Sequence, residues 1–270
     1  MRLLCFLLLS LFCASLVSGA EPPEPKWTPL FNGETLENWD RVDAGGSGPV
    51  EVKEGVLTVG MGVGASGIRY NKGFPMTNYE IRYEARRGMG NDFFGALTFP
   101  VDDFHCTFIN GGWGGGTIGL SCINGHDASD NQTSSYYRFD KDSWYEFKIR
   151  VCEGKIAVWI KEFKSPEKLE KERIAKEQRE KAAKEGKPVD PYFREDPDPN
   201  VPVVNFLALD EKISLRNESS DFKPLGLATW TTEGLIRKME YRILTDEEIA
   251  LSKKEVQEYR RRFGGSTTAR

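Results

Sequence analysis

The chain has two histidines, His105 and His126, and the second is followed at once by Asp127 and soon after by Asp130 in the stretch INGHDASDN. An imidazole held in one tautomer by a neighbouring carboxylate works as a general acid or base near neutral pH. His105, His126 and Asp127 therefore form one candidate catalytic group. The same residue types could hold a divalent metal, His with Asp suiting Zn²⁺ and aspartates with backbone carbonyls suiting Ca²⁺. No HExxH spacing accompanies them, and no Gly-x-Ser-x-Gly elbow offers a serine nucleophile. The plain alternative is that these residues form turns and satisfy loop hydrogen bonds. The identity of any metal or cofactor stays open.

Upstream, FINGGWGGG surrounds Trp113 with glycines but lacks the Lys and Ser/Thr of a phosphate loop. It reads as a tight turn, and Trp113 either packs against the domain or stacks on a ligand ring. A hairpin centred near Gly114 sets Cys106 opposite Cys122. In an exported chain such a pair is expected to form a disulfide. The same register sends His105, His126, Asp127 and Asp130 to one rim and Trp113 to the other end.

The elements that must position these groups are short alternating segments. YEIRYEARR puts Tyr79, Ile81, Tyr83 and Ala85 on one face and Glu80, Arg82, Glu84 and Arg86 on the other, the pattern of a half-buried strand. VEVKEGVLTVG reads as two strands around Glu54-Gly55, and WYEFKIRVCEGKIAVWIKEF as a hairpin turning at Glu153-Gly154. Glu84 and Arg86 form either a solvated ion pair or a grip on ligand hydroxyls, and Glu84 is the candidate catalytic acid to match a histidine base. Many strands without intervening helices predict an all-β, two-sheet sandwich.

Two segments break this texture. Residues 165 to 187 carry an N-cap Ser165, Pro166, Glu-to-Lys pairs four apart (Glu167 with Lys171, Glu172 with Lys176, Glu177 with Lys181) and a Gly186 stop. With the Pro-rich return after it, 164 to 202 is read as an insertion in a strand connection. Thr245 and Glu248 make a capping box for a C-terminal helix with the stripe Ile249, Ser252, Val256, Tyr259 and Phe263, and the region 245 to 270 is read as helix and tail.

Lys and Arg (37) nearly balance Asp and Glu (41), which excludes a polyanion-binding role such as nucleic-acid binding. Arg2, the apolar run from Leu3 to Val17 and the small residues Ser18 and Ala20 predict a signal peptide over 1 to 20, then a Pro-rich spacer over 21 to 26. Cys5 and Cys13 leave with it. The apolar run falls short of the roughly 20 residues of a membrane span, so the mature chain is expected to be exported, periplasmic or extracellular, with no span.

WTPLFNGETLENWD, VEVKEGVLTVG, NYEIRYEAR, DSWYEFKIRVCEGKIAVWIKE, ISLR and PLGLATWTTEGLIRKMEYRIL occur in an order that resembles the DUF1080 family of 3-keto-disaccharide hydrolases, or 3-keto-glycoside lyase/hydratases. The resemblance covers about 27 to 163 and 203 to 244. It implies a concanavalin A-like jelly roll over 27 to 244, common in bacteria, and activity on glycosides with a ketone at sugar carbon 3. It also implies Glu84, Arg86 and Asn91 as residents of a concave sugar-binding face. The stretch GNDFFGALTFP departs from the family's run, which resembles GNSGIFLR. A non-catalytic carbohydrate-binding module of the same fold is the alternative expectation.

Overall fold

The computed structural model describes residues 25–188, 197–208 and 211–263. The expected signal peptide, most of the spacer and the middle of the Pro-rich return lie outside them. The alternating segments form β1 (Thr28–Pro29), β2 (Trp39–Val42), β3 (Val50–Lys53), β4 (Val56–Val59), β5 (Ala65–Tyr70), β6 (Tyr79–Arg87), β7 (Phe94–Val101) and β8 (Phe104–Gly111). They continue as β9 (Thr117–Ser121), β10 (Ser135–Tyr136), β11 (Trp144–Cys152), β12 (Lys155–Glu162), β13 (Val204–Leu207), β14 (Gly226–Trp230) and β15 (Gly234–Ile243). Two helices, α1 (Pro166–Lys184) and α2 (Asp246–Phe263), complete the chain.

The strands make two antiparallel sheets, the two-sheet sandwich that the alternation predicts and the jelly roll that the resemblance implies. One runs β13-β12-β11-β6-β15-β4-β3 with β1 added beside β15; the other runs β10-β9-β8-β7-β14-β5-β2. Period-2 alternation buries Tyr79, Ile81, Tyr83 and Ala85 of β6 against Phe94, Leu97, Phe99 and Phe108 of the facing sheet. Rings meet across the gap, Phe94 and Phe147 at 6.0 Å, and burial of such surface is what drives the sheets together. The hairpin turn at Glu153-Gly154 is formed with Cys152 opposite Lys155.

The outer face of the β6 sheet is polar and holds a buried ionic network. Glu80, 2% exposed, accepts from Arg150 Nε at 2.8 Å and Arg242 Nε at 2.7 Å. Glu248 of α2 takes up the other side of Arg242 at 2.7 Å, while Glu248 and Thr245 close the expected capping box. Val256 and Ser252 turn inward. The helix thus lies on this sheet, fixed by charge as much as by apolar contact.

Helix α1 begins at its expected cap, with Ser165 Oγ accepting from Lys168 N at 3.2 Å, and buries no residue. Its ion pairs differ from the expected ones. Arg173 bonds Glu170 at 2.7 Å and also pairs with Glu177, and Lys168 reaches off the helix to Glu162 and Asp140. The Arg173 guanidinium fork spans two carboxylates of the helix itself, while the flexible Lys168 ammonium bridges two that lie outside it. Because Glu162 is largely buried and depends on Lys168, excising 166–187 together with Glu162→Gln is expected to leave a cooperative sandwich with its melting temperature within a few degrees. Loss of a sharp calorimetric transition would mean that the helix is part of the folding unit.

All three described cysteines are free, which corrects the expected Cys106–Cys122 bridge. The register itself is as expected, with Thr107 opposite Ser121 and Phe108 opposite Leu120. The ladder with β8 ends there, because Cys122 N turns to Ser214 O at 2.8 Å and Cys122 Sγ turns to Asp127 Oδ1 at 3.3 Å. Cys106 stays in the core, where burial pushes its thiol up to about 12.

Candidate active site

The outer face of the other sheet carries a cleft of about 280 Å³. Its floor is built from β-strand positions that point away from the core: Ala65, Ala96, Thr107, Ile109, Ser121 and Ala228. Small side chains keep this floor low. Where β7 meets β14 the register shifts at Ala228/Thr229, a bulge of the kind that re-aims side chains beside functional sites.

One wall is the segment 212–222. Its backbone pairs with the chain after β9, Ser214 N donating to Cys122 O at 3.1 Å and Asn124 N to Lys212 O at 2.8 Å. It ends in a 3-10 turn, Asn217–Phe222, whose Phe222 is 1% exposed. A Cβ on Gly67 of β5 would lie 2.7 Å from the Phe222 ring and 2.0 Å from Leu227 O. Glycine there is what allows the wall to seat. Arg216 projects from this wall and binds Asp127 Oδ2 at 3.0 Å.

The opposite wall is aromatic and carries a carboxylate. Trp113 is held in the turn Gly112–Gly115 at φ 46, between Gly111 at φ 86 and Gly114 at φ 90. Side chains rarely adopt such backbone, and strain of this kind gathers at ligand sites. The indole is 45% exposed and lines the cleft with Phe93 and Trp230. Asp92 lies beside it, its Oδ1 accepting from Phe93 N at 2.8 Å and its carboxylate also accepting from the Trp113 amide. Burial pushes the Asp92 carboxyl above the ordinary aspartate range, opposed by those two amides and the Arg87 guanidinium.

The residues singled out in the sequence fall in three places. Trp113 lines the cleft, and Asp127 borders it by accepting from Ser121 Oγ at 3.1 Å while holding Arg216. His105 and His126 do not form the expected shared rim with Asp127. The chain folds back in an Ile123–His126 bridge, so His126 points outward to Asp130 Oδ2 at 3.3 Å with its side chain 60% exposed, and Asp127 points inward. His105 lies on the cleft's face of β8 but beyond Thr107, its Nε2 buried without a partner. Burial and nearby Lys223 lower its pKa.

Glu84 and Arg86 do not join this cleft. They project from the outer face of the β6 sheet, on the opposite side of the sandwich from the cleft, where Glu84 binds Arg237 Nε at 2.6 Å and the Arg86 guanidinium lies 5.3 Å from the Trp144 ring. Period-2 alternation separates two faces of one strand but does not say which sheet carries the ligand. Asn91 lies one residue from the cleft-lining Asp92 and lines a neighbouring pocket. Among the described residues no three His, Cys, Asp or Glu side chains gather as a metal site. Asp92, Ser121, Arg216 and Trp230 escaped sequence reasoning, since each sits alone in an ordinary turn or strand.

A two-sheet sandwich with an aromatic, hydroxyl-bearing cleft on one outer face has the general make-up of a small-ligand site. The chain belongs to the family described as the 3-keto-alpha-glucoside-1,2-lyase-like domain, whose model matches residues 26–188. A search of curated proteins found no match. Solved structures with similar chain paths include a proposed glycosyl hydrolase from Parabacteroides distasonis, 11% identical over 81% of this chain and 94% of that one, TM-score 0.44. The carbohydrate binding module CBM66 from Bacillus subtilis is 11% identical over 76% and 95%, TM-score 0.39. The VIP36 exoplasmic/lumenal domain with Ca²⁺ and Man3GlcNAc is 10% identical over 80% and 90%, TM-score 0.45. These likenesses are too distant to bear on activity.

Proposed function

We propose that this protein binds a 3-keto-glycoside in the cleft and cleaves its glycosidic bond, with Asp92 as the base. The ketone at carbon 3 acidifies the hydrogen on carbon 2. Asp92 takes that proton, the C–H electrons form an enolate across carbons 2 and 3, and the enolate then expels the oxygen on carbon 1 as its C–O bond breaks. The departing oxygen takes a proton, and water adding to the resulting enone yields the free 3-keto sugar.

The observation that carries the reading is Asp92 itself. It is a carboxylate raised by burial, fixed by backbone amides and set against Trp113 on the wall of a cleft in a family of this type. A base works best with its pKa drawn toward the working pH. Arg216, fixed by Asp127, supplies positive charge to the wall where the enolate oxygen needs it. Trp113 and Trp230 offer flat faces to the apolar side of a sugar ring.

The direct test is turnover of purified 3-keto-glycosides, followed by release of the leaving alcohol. Retention of sugars with no turnover would make the chain a binding module. Trp113→Ala is expected to raise KM about tenfold while kcat holds, because stacking binds ground and transition states alike. An equal fall in kcat would place the indole in the chemical step.

A further inference from the structure

The lining of the cleft changes character from one end to the other, and each of its three sides shows the change. In the order of the sheet the floor runs from Ser121 on β9 through Thr107 and Ile109 on β8 to Ala96 on β7, Ala228 on β14 and Ala65 on β5. Hydroxyls give way to alanines. The 212–222 wall crosses the same strands, from Ser214 paired with Cys122 just after β9 to Phe222 over Gly67 of β5. Along it Arg216, Glu218 and Ser219 come before Phe222. The opposite wall runs from Trp113 after β8, through Asp92 and Phe93 before β7, to Trp230 at the end of β14. Asp92 therefore stands between a hydrogen-bonding end and an apolar one.

The apolar end is a built shelf. Ala96 and Ala228 are paired across β7 and β14, and Ala65 of β5 lies opposite Trp230. Phe93 packs against the cluster that holds Ala65, Phe222 and Ala228 and also against the one that holds Ala96 and Ile109. Its ring lies 6.5 Å from that of Trp230. Three methyl groups thus make a level floor with aromatic rings at its border, and no lining residue on β7, β14 or β5 carries a charge or a hydroxyl.

Apolar surface continues past the shelf. Gly64 backs onto the Trp230 ring, where a Cβ would lie 3.8 Å away, and just before it Met61 and Val63 are exposed. A sugar hydroxyl set on this shelf would lose its water and find no partner. A flat hydrocarbon ring gains burial there and meets the rings of Phe93 and Trp230.

We infer that the glycoside taken by this cleft carries an aromatic aglycone, seated on the alanine shelf while the sugar occupies the end with Ser121, Thr107 and Arg216; the assignment rests on the proposed reaction. Cleavage beside Asp92 then releases an aryl or arylalkyl alcohol from the far end. The test compares the 3-keto forms of benzyl glucoside, methyl glucoside and a glucose disaccharide. Benzyl alcohol and methanol are of similar acidity, so the ease of departure is matched and KM reports the shelf. Wild type should show a KM for the benzyl compound about tenfold below that for the methyl compound, from burial of one ring, and below that for the disaccharide. Ala228→Leu, which fills the shelf, should bring the benzyl and methyl values together. Equal benzyl and methyl values in wild type, or the lowest value for the disaccharide, overturn the shelf, as does a ratio that a folded Ala228→Leu leaves unmoved. Should the variant fail to fold by calorimetry, the wild-type ranking decides alone. If wild type consumes none of the three, the reaction fails as a reading, and calorimetric titration with unoxidised benzyl and methyl glucosides tests the shelf by itself. Tighter binding of the benzyl compound supports it, and equal binding overturns it.

Discussion

Asp92→Asn is expected to lower kcat on a 3-keto-glycoside by about 100-fold or more, the usual scale of general-base catalysis, while the melting temperature holds or rises. The amide keeps an oxygen able to accept from Phe93 N and the Trp113 amide but cannot take a proton. The stability half follows from linkage. Burial raises the carboxyl's pKa in the folded state, so folding is favoured by this group below its unfolded pKa. That advantage is lost as pH rises through the folded value. At neutral pH the ionised carboxylate is a cost that asparagine removes. The acid limb of kcat/KM in the wild type should correspondingly lie above the ordinary aspartate range. Steady-state kinetics with scanning calorimetry decide the matter, and full activity of the variant would remove Asp92 from the chemistry.

Glu80→Ala should have the largest effect on stability, about 3–5 kcal/mol, because it strips a partner from buried Arg242 and from Arg150 at once. Glu248 remains with Arg242, which favours the lower end of that range. Urea unfolding gives the number, and Glu80→Gln, which still accepts a hydrogen bond, should fall between wild type and alanine. A cost below about 1 kcal/mol would mean that the network is no stronger than an exposed pair. The same network sets an acid limit. Hydrogen bonding to Arg242 holds the Glu248 carboxyl down at about 2, so its contribution is present above the ordinary glutamate value and is lost as pH falls toward 2.

The sandwich was legible because alternation and turn glycines are local signals. Glu54-Gly55 and Glu153-Gly154 mark their hairpins, and Tyr79 to Ala85 mark the core face of β6. The hairpin register around Trp113 was legible for the same reason. What failed was anything that depends on where a strand stops or which sheet it joins. The disulfide failed because β9 ends at Ser121, one residue before the predicted pair. The cleft was hidden because its floor is defined by small residues, Ala65, Ala96 and Ala228, and its groups come from distant turns. A missing side chain leaves no pattern to read. The histidines drew attention by their rarity, which carries no information about direction.

The wall formed by 212–222 meets the sheet face through two backbone exchanges with residues 122–124 and the seating of Phe222 at Gly67. It adds no rung to a ladder between named strands. If the cleft is the proposed site, this part of its wall is separable from the strands that make the fold. Substitutions at Arg216, Glu218 or Ser219 can retune what the cleft admits while both sheets keep their registers, so divergence in specificity among relatives should concentrate in this segment and spare the strands beneath it.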